Sequence, residues 1–265
     1  MSALPVAEIE SARRREDVLR ELNLYPLWQR RHAAAVTHAA EELNTSLPQV
    51  PVEQLAEQAV AAEMPVADIG NLNWPELKKT VKSCTACKLR AGCTQTVFGT
   101  GDEKADWLFV GSWPSEDDEA KGEPFAGQAG QLLDNMLAAI NLKRGANVYL
   151  ANVVKCSGSI KRGPQADEIA QCEPYLRRQI RLLQPKIIVA LGHAAATALL
   201  GEDGEWNGLL GKVHGIVSFT QDNLPTTIPL VVTHHPAALL LAPLNKAQAW
   251  RDLCLARDTM LKIGS

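Results

Sequence analysis

No apolar run in this chain of 265 residues reaches the ~18–20 residues needed to cross a bilayer, so no membrane partner is expected. The opening residues, Met1-Ser-Ala-Leu-Pro-Val, carry no basic stretch followed by an apolar core. No secretory signal is read there, and a cytoplasmic protein is the expectation. A basic excess is also missing. The chain holds 27 Lys and Arg against 30 Asp and Glu, a formal net charge of −3. Residues 1–79 hold 8 basic and 12 acidic side chains, and residues 80–265 hold 19 and 18. Neither part has the broad positive field of a protein that grips duplex DNA through many phosphates, so weak or no direct DNA binding is expected. One local patch, residues 143–181, has eight basic and three acidic side chains, a balance that a solvated helix face would also show. There is no internal repeat. What is present is ordinary for a folded protein: 46% hydrophobic and 22% charged residues. That excludes collagen-like, coiled-coil and wholly disordered chains.

Three regions follow from the pattern. Residues 1–40 form an N-terminal peptide, helical from about residue 12. Its apolar set is Val18, Leu19, Leu22, Leu24, Leu27 and Trp28, interrupted by Pro26 and flanked by Arg13-Arg14-Arg15 and Arg30-Arg31. Residues 41–75 read as a linker, punctuated by Pro48, Pro51, Pro65 and Pro75. From residue 76 short apolar runs alternate with helical stretches. Strands are expected at 107–111, 148–152, 186–192 and 229–233, and helices at 131–141, 165–183, 194–200 and 245–263. This alternation predicts an α/β fold, a three-layer α/β/α sandwich around a central four-stranded parallel sheet. Ligands of such sheets bind beyond the carboxyl ends of the strands. Those ends carry Gly111-Ser-Trp-Pro-Ser115, Asn152-Val-Val-Lys-Cys156, Gly192-His193 and His234-His235-Pro236, so the unusual polar clusters share one rim.

Six cysteines are present: Cys84, Cys87, Cys93, Cys156, Cys172 and Cys254. Structural disulfides are improbable in a cytosolic chain. The pair Cys84-Thr-Ala-Cys87 can aim two thiolates at one metal. With Cys156 and Cys172 four thiolates could converge on zinc or on an iron–sulfur cluster. Spacing alone does not decide between them, nor against a redox pair with two buried core cysteines.

Residues 84–253 resemble the family 4 uracil-DNA glycosylases. The stretches that carry the resemblance are Cys84-Thr-Ala-Cys87, Val97-Phe-Gly99, Gly122-Glu-Pro-Phe-Ala-Gly-Gln-Ala-Gly130, Val148-Tyr-Leu-Ala-Asn-Val-Val-Lys-Cys156, Glu168-Ile-Ala-Gln-Cys-Glu-Pro174, Pro185-Lys-Ile-Ile-Val-Ala-Leu-Gly192 and Thr233-His-His-Pro-Ala-Ala-Leu-Leu240. The resemblance implies a [4Fe-4S] cluster held by Cys84, Cys87, Cys156 and Cys172. It also implies that Phe125 stacks on uracil, Asn152 reads its edge and His235 faces the leaving group. Each has a plainer reading: Phe125 as core, Asn152 as a strand-end cap, His235 as a brace for its loop.

The family's first motif, Gly-Glu-(Ala/Gly)-Pro-Gly, stands here as Gly111-Ser112-Trp113-Pro114-Ser115. Ser112 cannot act as a carboxylate base, and an indole at Trp113 is expected to fill the uracil pocket. Glu116 is the carboxylate that could substitute. The family's Leu-Leu-Arg wedge is replaced by Leu239-Leu240-Leu241, and its Arg-Pro-Pro after the third cysteine by Ser157-Gly-Ser159.

The peptide from Leu19 to Arg31 is similar to the N-terminal peptide of psi, a subunit of the bacterial DNA polymerase III clamp loader. Leu19, Leu22, Leu24, Trp28, Arg30 and Arg31 carry that likeness. It implies that residues 12–35 dock on clamp-loader subunits, as an anchored amphipathic segment can. It also implies that the core binds chi, the link to single-stranded-DNA-binding protein, at the nucleoid. Together the two resemblances predict a non-catalytic replication adaptor on a glycosylase fold, with Trp113, Phe125, Asn152 and His235 as the remnant of a uracil pocket. The alternative is a working glycosylase of base-excision repair that would use Asn152, His235 and Glu116.

Overall fold

The computed structural model of the chain describes residues 69–157, 162–201, 204–220 and 223–263. The residues assigned to clamp-loader docking therefore lie outside the described residues, as does nearly all of the expected linker. A short 3-10 turn at Ile69–Asn71 leads into helix α1, Trp74–Lys82. The sequence boundary at residue 76 falls inside this helix. Asn73 starts α1 with a reciprocal cap, its side chain accepting from the Glu76 N–H while the Glu76 carboxylate accepts from the Asn73 N–H.

The sheet has six strands: β1 Thr100–Gly101, β2 Trp107–Gly111, β3 Val148–Asn152, β4 Ile187–Leu191, β5 Val213–Phe219 and β6 Pro225–Thr233. They run in the order β1-β3-β2-β4-β6-β5. The four central strands are parallel, as the sequence predicts. The two outer strands, β1 and β5, are antiparallel additions that the sequence reading lacks. Every residue of β2, β3 and β4 is buried, because helices cover both faces.

The helices are α2 Glu116–Lys121, α3 Gln128–Ala139, α4 Ala166–Leu183, α5 His193–Leu200, α6 Trp206–Leu209, α7 Pro236–Leu241 and α8 Lys246–Ile263. Side chains alternate across the sheet and make two cores. Leu108, Val110, Ala151, Ile188, Ala190, Leu230 and Val232 pack with α1, α4 and α5 residues such as Leu77, Leu176, Ile180 and Ala195. Trp107, Phe109, Leu150, Ile187, Val189, Leu191 and Val231 pack on the other face with Leu133 and Leu137 of α3, Leu239 of α7 and Leu253 of α8. Each fully buried Leu or Ile contributes ~1.5–3 kcal/mol by leaving water.

This topology positions the site. From β2 the chain passes outward to β3, then returns across β2 to β4 and moves away to β6. The connections leaving β2 and β4 thus diverge, and a crevice opens between the carboxyl ends of these two neighbours. Ser112 and Trp113 lie at one lip, Gly192 and His193 at the other.

Candidate active site

A cavity of about 750 Å³ occupies that crevice. Its walls come from the β2–α2 segment (Ser112, Trp113, Asp117, Asp118), the α2–α3 segment (Phe125, Gly127), the start of α5 (Gly192, His193), Trp206, and the β6–α7 segment (His234, His235, Leu240, Leu241). The rim clusters after β2, β4 and β6 therefore meet at one place, whereas none of Asn152 to Cys156 is among its walls.

Phe125 is the aromatic wall. Its backbone is left-handed, with φ of 57°, a conformation that a bulky residue rarely adopts. Neighbouring groups hold it there. Arg144 donates from Nη1 to the Pro124 carbonyl at 2.9 Å and from Nη2 to the Phe125 carbonyl at 3.0 Å, while its Nε bonds Asp134 at 2.9 Å. Asp118 accepts the Ala126 N–H at 2.6 Å through one oxygen and the Ser115 N–H at 3.0 Å through the other. At the start of α3, Gly130 has no room for a side chain, because a Cβ there would strike the Phe125 carbonyl.

Asn152 ends β3. It is only 1% exposed, and neither its Oδ1 nor its Nδ2 has a hydrogen-bond partner. A buried unpaired amide costs about 1–3 kcal/mol, so its retention calls for a reason. The amide lies against Gly111, beside the Phe125 ring. A Cβ on Gly111 would collide with Asn152 Oδ1 and would stand 2.6 Å from Phe125 Cζ. Glycine at this point is what lets the two side chains lie side by side.

His235 faces Phe125, the ring centroids 5.7 Å apart and the planes inclined by 32°. Its Nδ1 accepts the Ala237 N–H at 3.2 Å, capping α7. The proton of the neutral ring therefore sits on Nε2, making that atom a donor. Burial pushes the imidazole down to about 4, against the opposing charge of Asp118, so His235 is neutral at pH 7.

Trp113 is a wall residue of the cavity; it is 40% exposed, and the far edge of its indole lies 3.5 Å from where a side chain on Gly163 would begin. A space of about 750 Å³ remains beside it, so the indole expected to fill the pocket leaves this cavity open. Glu116, the substitute carboxylate of the sequence reading, is exposed at the first position of α2 and does not line the cavity. Its neighbours Asp117 and Asp118 do. Both oxygens of Asp118 are occupied by backbone donors, whereas the Asp117 carboxylate faces Gly127 on the cavity wall. Sequence reasoning missed Asp117 and Trp206; the Trp206 ring meets that of His193, already expected on the rim, edge to face at 5.8 Å. Four acidic residues follow one another at Glu116-Asp-Asp-Glu119, and their order alone does not say which turn position points inward.

The four cysteines singled out in the sequence line a second, smaller cavity. Cys84 and Cys87 come from the segment after α1, Cys156 from beyond β3, and Cys172 from α4, with Leu89 and Tyr175 beside them. The Lys155 N–H donates to Cys172 Sγ at 3.3 Å. Burial pushes the Cys172 thiol up to about 11 and Cys156 further up, so both stay protonated at pH 7 while no cation competes for them. Among the described residues, no three Cys, His, Asp or Glu side chains are drawn together as ligands of a single ion. Cys93, outside the set, donates to the Gln95 carbonyl at 3.1 Å and is raised to about 11, chiefly by burial and a hydrogen bond with Glu119. Burial raises the Glu119 carboxyl, but bonds from Cys93, Ser157 and Thr94 outweigh it and hold the group below the usual range. Among the described residues, no helix is long and apolar enough to cross a membrane.

A parallel α/β sheet with an aromatic wall, a buried amide and a neutral imidazole near its switch point is the frame on which the comparisons with known proteins bear. The chain belongs to the uracil DNA glycosylase superfamily, whose family model matches residues 98–256. Its relatives include the Type-4 uracil-DNA glycosylase of Sulfurisphaera tokodaii, 40% identical over 168 residues, which are 63% of this chain and 76% of the relative. The Type-4 uracil-DNA glycosylase of Archaeoglobus fulgidus is 37% identical over 168 residues, 63% of this chain and 83% of the relative. That of Pyrobaculum aerophilum is 35% identical over 180 residues, 68% and 91% of the two chains. These relationships overturn the expectation of a non-catalytic replication adaptor. The core is similar along most of its length to proteins named for glycosylase activity.

Proposed function

We propose that this chain is a uracil-DNA glycosylase of base-excision repair, hydrolysing the N-glycosidic bond of deoxyuridine. The observation that carries the reading is the Asn152 amide, buried and unpartnered against Gly111 beside the ring of Phe125, which is itself a wall of the cavity. An amide offers one acceptor and donors, complementary to the N3–H and O4 edge of uracil. With Oδ1 turned to N3–H and Nδ2 to O4, the amide mismatches cytosine, whose N3 accepts and whose N4 donates; rotated by half a turn it would match, so discrimination depends on holding that one orientation. Leaving the amide unpaired in the free protein reserves both atoms for the base.

In the reaction the C1′–N1 bond breaks as a water oxygen bonds C1′. Positive charge grows on the sugar and negative charge on the departing uracil. The His235 Nε2–H donates toward that anion, which later takes a proton from solvent. Asp117 is the wall carboxylate suited to hold the water, to take the proton it loses on bonding C1′ and pass it to solvent, and to offset the charge on the sugar, in place of the acid that Ser112 lacks. Phe125 stacks on the flipped base.

Cys84, Cys87, Cys156 and Cys172 suit a [4Fe-4S] cluster, since four thiols from three separate segments share the wall of one cavity. Bound there, the cluster would staple these segments together.

The test is release of free uracil from single- and double-stranded oligonucleotides carrying one deoxyuridine. Release by the wild-type chain, lost in Asn152→Ala and His235→Ala, is the expected result. No release from either substrate would refute the reading.

A further inference from the structure

The cavity of about 750 Å³ is larger than one pyrimidine requires, and it continues past Phe125 to an exposed indole. The segment presenting that indole is rigid. On one side of Trp113 the Val154 N–H bonds the Ser112 carbonyl at 3.1 Å, tying the β2 end to β3. On the other side come Pro114 and Ser115, which caps α2. The cavity wall carries charge of the wrong sign for phosphate: Asp117 and Asp118 line it, and no Lys or Arg does among the described residues. Arg162, next to the Gly163 that the indole faces, is already paired with Glu168 at 2.8 Å. What this lip offers a strand is an aromatic ring, which can stack on the face of any base.

We propose that Trp113 is a stacking platform for the nucleobase adjoining the flipped deoxyuridine, and that it biases this chain toward single-stranded uracil-containing DNA. The inference rests on the glycosylase reading and adds to it a preferred substrate. In a duplex the neighbouring base is paired and stacked on both faces, so engaging Trp113 would mean unstacking a second nucleotide. In a single strand that face is free.

The experiment measures KM and kcat for uracil release from single-stranded oligonucleotides. One set has ordinary neighbours and another has an abasic spacer on either side of the deoxyuridine. Wild type, Trp113→Ala and Trp113→Phe are compared, with thermal denaturation as a check on folding. Trp113→Ala is expected to raise KM on the ordinary single strand about tenfold, with the effect falling on KM rather than kcat. The abasic neighbour should raise the wild-type KM by a similar factor and add nothing in Trp113→Ala. Trp113→Phe should lie between and carries the test if the alanine variant melts early. The dependence of KM on salt should keep its slope, since no phosphate contact is removed. Equal KM values for wild type and both variants, or an abasic penalty that persists in Trp113→Ala, would overturn the inference and leave the glycosylase reading standing. No release by wild type would remove both.

Discussion

At the scale of single residues, Asn152 sets recognition against stability. Asn152→Leu exchanges an unsatisfied buried amide for an apolar group of similar size. It should lower uracil release by about a hundredfold or more, as loss of a placed donor does. The same change should hold or raise the melting temperature, since leaving such an amide unpaired costs ~1–3 kcal/mol and each kcal/mol moves Tm by ~2–4 °C in a chain of this size. Calorimetry beside the uracil assay reads both, and a large fall in Tm with release retained would contradict the role. His235 has its own signature. Burial lowers its pKa to about 4 from the ordinary ~6.5. The unfolded chain therefore binds more protons between these values. This contribution to stability is complete above about pH 6.5 and is lost as pH falls toward 4. Urea denaturation across that window should show a shallower pH slope in His235→Gln than in wild type.

At the scale of elements, the fold was legible where burial is two-sided. The runs Trp107–Gly111, Val148–Asn152 and Ile187–Leu191 read as strands because helices cover both their faces. The edge strands hid for physical reasons. β1 is two residues long, and β5 alternates buried Ile216 with exposed Val217 around a glycine. At the site, Phe125, Asn152 and His235 were visible as rim residues, but not what holds them. Arg144 lies in the turn after α3 and reaches back about twenty residues to the carbonyls before and at Phe125, a link that no local pattern encodes. Nor does sequence give the backbone angles of the loop after β2, which decide where Trp113 lies on the cavity wall. Arg144→Lys keeps the charge and loses the fork of donors. It should lower kcat/KM about tenfold or more by letting the Phe125 wall drift, with a Tm loss of a few degrees. Unchanged kinetics would show that Phe125 keeps its unusual backbone without that clamp.

At the scale of the whole molecule, the cysteine cavity joins the segment after α1, the end of β3 and α4. Protein purified without air should be brown and hold about four irons per chain; colourless protein containing zinc would overturn the cluster assignment. Stripping the iron, or Cys156→Ser, should speed amide hydrogen exchange in residues 84–93 and at the start of α4. β2 and β4, buried in the sheet, should stay protected. Uniform loss of protection would mean instead that the cluster governs global folding.

The two lips of the crevice differ in how they are fastened. Asp118 grips the Ser115 and Ala126 amides at once, so the stretch bearing Trp113 and the stretch bearing Phe125 travel as one body. Across from them, the bond recorded for the His235 ring reaches no further than Ala237, and Leu241 stands 89% exposed at the end of α7. The short helix is instead fastened from behind, by Leu239 sunk in the core, so one lip is held by polar bonds and the other by apolar packing.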